Sequence, residues 1–170
     1  MTARLKPYSV TPLAPTHEVG AFACGDQDID SFIAVRARRE QEQQLSQVYV
    51  MTATSNQVLA YFTLSPLSIR ITPPLLERLG IGAIPYPLVG GYLLGRLGVD
   101  QSIAGNGIGS ALTIHAARIA RNQARHVGGV LLAVDPKTDR LVTWYEKLGF
   151  IRLAPPPGAR RVILPFASIP

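Results

Sequence analysis

Cysteine occurs once in this chain, at Cys24. That excludes a disulfide framework and a cysteine metal cluster, and makes a reducing cytoplasm the simplest setting. Lysine is nearly as scarce, with three against 14 arginines. No apolar run is long enough to span a membrane: the uncharged stretch Leu79 to Gly95 carries Pro85, Pro87 and several glycines. It reads as a loop followed by a strand. The opening MTARLKPYSV lacks the apolar core of a signal peptide. Of the three histidines, His115 falls in the apolar stripe of a helix and reads as a hydrogen-bonded structural residue, while His17 and His126 read as unpartnered loop residues. With no second His or Cys at ligand spacing, no metal is expected.

What remains is a globular composition, 47% hydrophobic and 16% charged over 170 residues, which suits one domain covering 1–170. The net charge is +6. Carried mostly by arginine, whose planar fork matches phosphate oxygens, it points either to a polyanionic partner or to a merely basic surface.

Leu5 to Val10 reads as a first edge strand, with Pro7 keeping it from the sheet centre. Asp26, Asp28 and Asp30 open a helix running to about Leu45, with Ile29, Phe32, Ile33 and Arg36 near one face. Arg36, Arg38, Arg39, Glu40 and Glu42 read as its solvated side, with phosphate binding as the alternative. Val48 to Ala53 and Val58 to Ile69 read as antiparallel strands joined by a turn. Pro73 and Pro74 open a short helix, Leu75 to Leu79, that Gly80 ends.

The stretch Leu93 to Leu112 reads LLGRLGVDQSIAGNGIGSAL. A half-apolar strand through Leu97 and Val99 breaks at Asp100 to Ala104. Gly105, Gly107 and Gly109 then recur as the helical pattern of Ile108, Ala111, Leu112 and His115 begins. Glycines admit a bulky anion close to the backbone, and the first helical turn offers amides at the positive end of the dipole. The same spacing also serves tight local packing, so the turn by itself leaves both open. Downstream, GVLLAVD ending at Asp135 reads as a buried strand, and a helix ending WYEKLGF follows. Asp135 and Thr138 read as helix-start residues. Leu141, Trp144, Tyr145 and Leu148 share one helix face, which spacing alone would assign to core.

Strand, GNGIG turn, helix, strand and a helix carrying Tyr145 before Gly149-Phe150 resemble the GCN5-related N-acetyltransferase family. The resemblance implies an α+β fold (α/β three-layer), a mixed central sheet with a splayed strand pair flanked by helices. It makes Ala104, Gly105, Asn106, Gly107, Ile108, Gly109 and Ser110 the loop for the acetyl-CoA diphosphate. The family usually has Gln or Arg where this chain has Ala104, which leaves backbone amides to hold the phosphates. It further implies that Leu97, Gly98 and Val99 hold the pantetheine arm on a bulged strand, and that Tyr145 is the acid protonating the departing thiolate. A phenol, with a pKa of ~10, carries that proton at neutral pH. No carboxylate stands out as a general base, although Asp100, Asp135 and Glu146 are available.

Upstream, Phe22-Ala23-Cys24-Gly25, the Asp30-Ser31-Phe32 helix start, Tyr61 to Ser65 and Pro85 to Pro87 resemble the toxin branch of that family. Its members acetylate the amino acid of aminoacyl-tRNA and pair with a ribbon-helix-helix antitoxin, and a homodimer is implied. Arg96 in the central strand, Arg36 and Arg39, and the helix stripe Arg118, Arg121 and Arg125 are the candidate contacts to substrate or tRNA. Two other readings stand beside this one. One is an acetyltransferase for a small-molecule or protein amine, which predicts an acidic acceptor pocket. The other is a non-catalytic acetyl-CoA-binding module, against which an intact Tyr145 speaks.

Overall fold

The computed structural model describes residues 8–153 and 159–170. Its strands are β1 (Ser9–Pro12), β2 (Gln47–Thr52), β3 (Ala60–Arg70), β4 (Leu88–Val99), β5 (Leu131–Val134), β6 (Ile151–Arg152) and β7 (Val162–Pro165). They form a seven-stranded sheet in the order β1-β2-β3-β4-β5-β7-β6. β4 and β5 run parallel, whereas β1 with β2, β5 with β7 and β6 with β7 run antiparallel, so the sheet is mixed as expected. The parallel ladder is short. It pairs Tyr92 with Leu132 and Leu93 with Ala133, although β4 continues to Val99, in keeping with a splayed pair. The helices are α1 (Gln27–Ser31), α2 (Ala37–Glu42), α3 (Pro73–Leu79), α4 (Ile108–Val127) and α5 (Asp139–Lys147).

The chain gathers into two units. The first comprises Met1–Thr63 with Arg96–Leu112. Of the strand expected at Leu5 to Val10, Leu5 to Pro7 lie outside the described residues, and β1 runs Ser9–Pro12 at the sheet edge. Pro12 lies in this edge strand, opposite Tyr49. The helix expected from Asp26 to Leu45 is split. Asp26 caps α1 by accepting from the amides of Asp28 and Ile29, and Phe32–Arg36 then forms a π-helical turn before α2. Ile29, Phe32 and Ile33 face inward as the periodicity predicts. They meet Phe22, Val48 and Tyr61 in one apolar cluster. Tyr61 lies edge-on to Phe22 at 5.4 Å and donates to the Ile29 carbonyl at 2.6 Å. Burial pushes its hydroxyl pKa well up.

Two side chains of this unit depart from the sequence reading. Arg38 is not solvated: it donates to the carbonyls of Ala14 at 2.9 Å and His17 at 2.7 Å. His17 is not unpartnered, since its Nδ1 accepts from the Ala14 amide at 2.9 Å. Both changes have one cause. The loop before α1 folds back along α2, and its backbone polar groups need partners.

The second unit comprises Leu64–Gly95 with Thr113–Pro170. Ile69, Leu75, Leu79, Leu131, Ala133 and Ile163 form its apolar cluster. α3 begins where Thr72 accepts from the Leu75 amide and stops at Gly80, whose φ of 66° suits a residue without a side chain. Gly91 lets β4 approach β5, for a Cβ there would stand 2.7 Å from the Leu131 carbonyl oxygen. His115 is exposed on α4 and not part of its apolar stripe, which is carried by Ala116, Ala117 and Ala120. His126 lies in the last turn of α4, not in a loop, where a basic residue suits the negative end of the dipole. Among the described residues no helix is long and apolar enough to cross a membrane, and no cluster of His, Cys, Asp or Glu could hold a metal ion.

Candidate active site

Within the first unit, the end of β4 and the glycine turn are fixed by Asp100. Its carboxylate accepts from the Ala23 amide at 3.0 Å, the Ser102 amide at 2.9 Å and the Ser102 hydroxyl at 2.7 Å. Burial raises the pKa of this carboxyl, but the bonds from Ser102 and Ala23 outweigh it and hold it below the usual range. A carboxylate so engaged serves as a tie and not as a general base. The sequence held one signal of this, the Asp-x-Ser spacing of a side-chain-closed turn. The main chain repeats the tie: the Asp100 amide donates to the Leu59 carbonyl at 2.8 Å and the Gln101 amide to the Ala23 carbonyl at 2.9 Å.

Beyond this anchor the chain opens. Ala104, Gly105, Asn106 and Gly107 are exposed, and Ile108, Gly109 and Ser110 are half-buried. Gly105 and Gly107 adopt φ of 81° and 73°, with no neighbouring atom within 4 Å of where a Cβ would sit. The glycines are therefore there for backbone conformation and not for close packing. The Asn106 side chain turns back to the Ile103 carbonyl at 3.0 Å. The Ala111 amide reaches the Gly107 carbonyl at 3.1 Å, so Gly107 caps the 20-residue α4. An open glycine backbone at the head of a long helix fits the diphosphate of a coenzyme.

Leu97 and Val99 are half-buried and Gly98 is fully buried. A Cβ on Gly98 would stand 2.6 Å from Ile29 Cγ2 and 3.1 Å from Phe22 Cζ. Its φ is not positive, so the feature that requires glycine here is the close approach of α1. Arg96, also half-buried, lays its guanidinium 3.9 Å above the centre of the Phe32 ring. Arg36 lies over the same ring at 5.4 Å. Sequence reasoning missed Phe32 as a platform, because its spacing marked it only as core. Arg39 is exposed on α2.

In the second unit, Tyr145 sits on α5, which Thr138 caps by accepting from the Leu141 amide. Val142 and Tyr145 are the buried residues of α5, whereas Leu141 is 40% exposed, so the inward face is rotated from the one the sequence suggested. The Tyr145 ring is held edge-on by Trp144 at 4.8 Å and Phe150 at 5.3 Å. Burial pushes its pKa up to about 12. Among the described residues, the one buried side-chain polar atom without a partner is Ser46 Oγ. Tyr145 is 6% exposed, and no described residue bonds its hydroxyl. The residue is a protonated phenol with an immobilised ring.

The other candidates separate. Asp135 does not start α5: it holds Arg161 through two bonds of 2.7 Å. Glu146 faces Arg152 at 3.5 Å. Arg121 is half-buried and donates to the backbone oxygens of Ile169 at 2.9 Å and Pro170 at 3.0 Å, so it leaves the solvent stripe on which Arg118 and Arg125 remain.

Known proteins resemble this chain along nearly its whole length. Over 94% of its length the chain is 29% identical to 92% of the probable toxin TacT of Sinorhizobium fredii (strain NBRC 101917 / NGR234). A solved structure of AtaT complexed with acetyl-methionyl-tRNAfMet matches 96% of this chain and 97% of that one, with a TM-score of 0.86 and 25% identity. A crystal structure of AtaTR bound with acetyl-CoA matches 97% of each chain, with a TM-score of 0.83 and 26% identity. The profile of the acetyltransferase (GNAT) family covers residues 27–150, and the chain belongs to that family.

Proposed function

We propose that this protein transfers acetyl from acetyl-CoA to the α-amine of the amino acid on charged tRNA and thereby blocks translation, as the toxin of a toxin–antitoxin pair. The observation that carries this is the likeness, along nearly the whole chain, to a toxin acetyltransferase captured with acetylated aminoacyl-tRNA. Acetyl-CoA supplies an activated acetyl thioester. The backbone of Ala104 to Ser110 receives its diphosphate, and the Leu97, Gly98 and Val99 edge holds its arm, with a strand amide donating to the thioester oxygen. Tyr145 keeps its proton until negative charge builds on the departing sulfur, and then gives that proton to it. Its immobilised ring supports this role, since the group need not reorient, and its raised pKa keeps the proton in place at neutral pH. The amine loses its own proton to solvent. An aminoacyl ester amine is a weaker base than lysine, whose reference pKa is ~10.4, and needs no strong protein base. The ties that occupy Asp100 and Asp135 agree with that.

Exposed Arg39, Arg118 and Arg125 are assigned to RNA phosphates, and the net charge of +6 supports a polyanionic acceptor. A ribbon-helix-helix antitoxin, a homodimer and a cytoplasmic setting complete the reading, all three on the family resemblance. The test incubates the protein with acetyl-CoA and a pool of charged tRNA, with Tyr145→Phe as control. Acetylated aminoacyl-tRNA formed by the unsubstituted protein alone is the expected result. Acetylation of free amines with charged tRNA untouched would overturn it.

A further inference from the structure

Arg96 and Arg36 share one aromatic ring, that of Phe32, at 3.9 Å and 5.4 Å. Phe32 is 1% exposed, so the ring is covered, and its other stacking neighbour is Tyr61 at 6.1 Å. Two cations on one ring repel each other, yet among the described residues neither guanidinium has a carboxylate or any hydrogen-bond acceptor. Of the acids close by, Asp26, Asp30 and Asp100 are engaged elsewhere. Asp26 caps α1, Asp30 accepts from the Cys24 amide at 2.8 Å, and Asp100 holds Ala23 and Ser102. The arrangement is nonetheless tightly constrained. Gly98 and Arg96 lie two apart and share a strand face, while Ile29 and Phe32 lie three apart on the facing helix. The missing Cβ of Gly98 admits Ile29, and that approach brings Phe32 beneath Arg96. Phe32 and Arg36 are the first and last residues of the π-helical turn, a departure from α-helix that natural proteins concentrate at functional sites.

We propose that Arg96 and Arg36, carried on Phe32, form a clamp for a backbone phosphate of the acceptor RNA, with Phe32 as the positioning residue. The ring presets two forks that would otherwise swing apart, and a bridging phosphate removes their repulsion. This rests on the acceptor being charged tRNA. The same chemistry could serve a phosphate of the coenzyme, and the two sources separate by measurement.

Steady-state kinetics with charged tRNA as the varied substrate, at several salt concentrations, is combined with calorimetric titration of acetyl-CoA for Arg96→Gln, Arg36→Gln, Phe32→Leu and Phe32→Tyr. Arg96→Gln should raise KM for charged tRNA roughly tenfold, with the loss in KM and not in kcat. It should also make the slope of log KM against log salt shallower by about 0.7, the share of one phosphate that is no longer neutralised. Phe32→Leu should raise KM in the same sense, and Phe32→Tyr, which keeps the ring, should restore it. Urea unfolding reports that each variant is folded. An unmoved KM and salt slope in Arg96→Gln overturns the clamp, and a weakened acetyl-CoA affinity in its place assigns the arginines to the coenzyme. Failure of the underlying reading looks different, as no acetylation of charged tRNA by the unsubstituted protein. In that event salt-dependent binding of uncharged tRNA by the same variants still decides the clamp.

Discussion

The Asp100 carboxylate holds the Ala23 amide at 3.0 Å across 77 positions of sequence, at the point where β4 ends and the glycine turn begins. The loop ahead of α1 and the turn ahead of α4 are thereby fixed to each other, and the open backbone of Gly105 to Gly107 starts from a rigid edge.

Removing that carboxylate should be costly. Asp100→Ala leaves the Ala23 and Ser102 amides without their acceptor and should lower stability by roughly 2 kcal/mol, measured by urea unfolding. The same variant should weaken acetyl-CoA binding in a titration, because the turn loses its anchor. The pH dependence has a definite sign. The folded pKa lies below the ordinary value of 3.8, so the stabilisation is fully present above that pH and is lost as pH falls through the lower folded value. The gap in stability between the unsubstituted protein and Asp100→Ala should therefore narrow as the pH is taken below 3.8.

Gly98→Ala tests whether close approach is what that position requires. A methyl 2.6 Å from Ile29 Cγ2 must displace it, and the expected loss is about 1–3 kcal/mol. Ile29→Ala makes room, so the double variant should be less destabilised than the two single losses added together. Additive losses in a double-mutant cycle would exclude that approach as the cause.

Tyr145→Phe keeps the ring between Trp144 and Phe150 and removes an oxygen that no described residue bonds. Stability at pH 7 should change by less than about 0.5 kcal/mol while kcat falls by roughly 10²–10⁴ and acetyl-CoA affinity stays. Because the folded pKa is raised from 10.0 to about 12, the protonated phenol stabilises the fold below pH 10.0, and that contribution fades as pH rises through about 12. Alkaline unfolding between those limits should therefore be steeper for the unsubstituted protein than for Tyr145→Phe.

Arg121→Ala should separate a structural arginine from an RNA-facing one. Losing its bonds to Ile169 and Pro170 should cost roughly 1 kcal/mol in unfolding free energy. The salt slope for charged tRNA should be unchanged, whereas Arg125→Ala should make that slope shallower.

By itself the sequence determined the order of the main elements as far as α5, the glycine-turned entrance to α4 and the tyrosine before Gly149-Phe150, because these depend on local periodicity and backbone freedom. Gly105 and Gly107 are legible for the same reason: a positive φ is a property of one residue and its peptide neighbours. Only the tertiary structure decided which polar side chains were already engaged. Asp100 reaches Ala23, Arg38 reaches Ala14, Arg121 reaches Ile169, and Asp135 reaches Arg161, each across many residues and with no periodic trace in the chain. Phe32 carries the same lesson. A buried phenylalanine looks like core from its spacing, and only its position under Arg96 gives it a polar duty, since the attraction of a cation to a ring depends on placement in space and not on order in sequence.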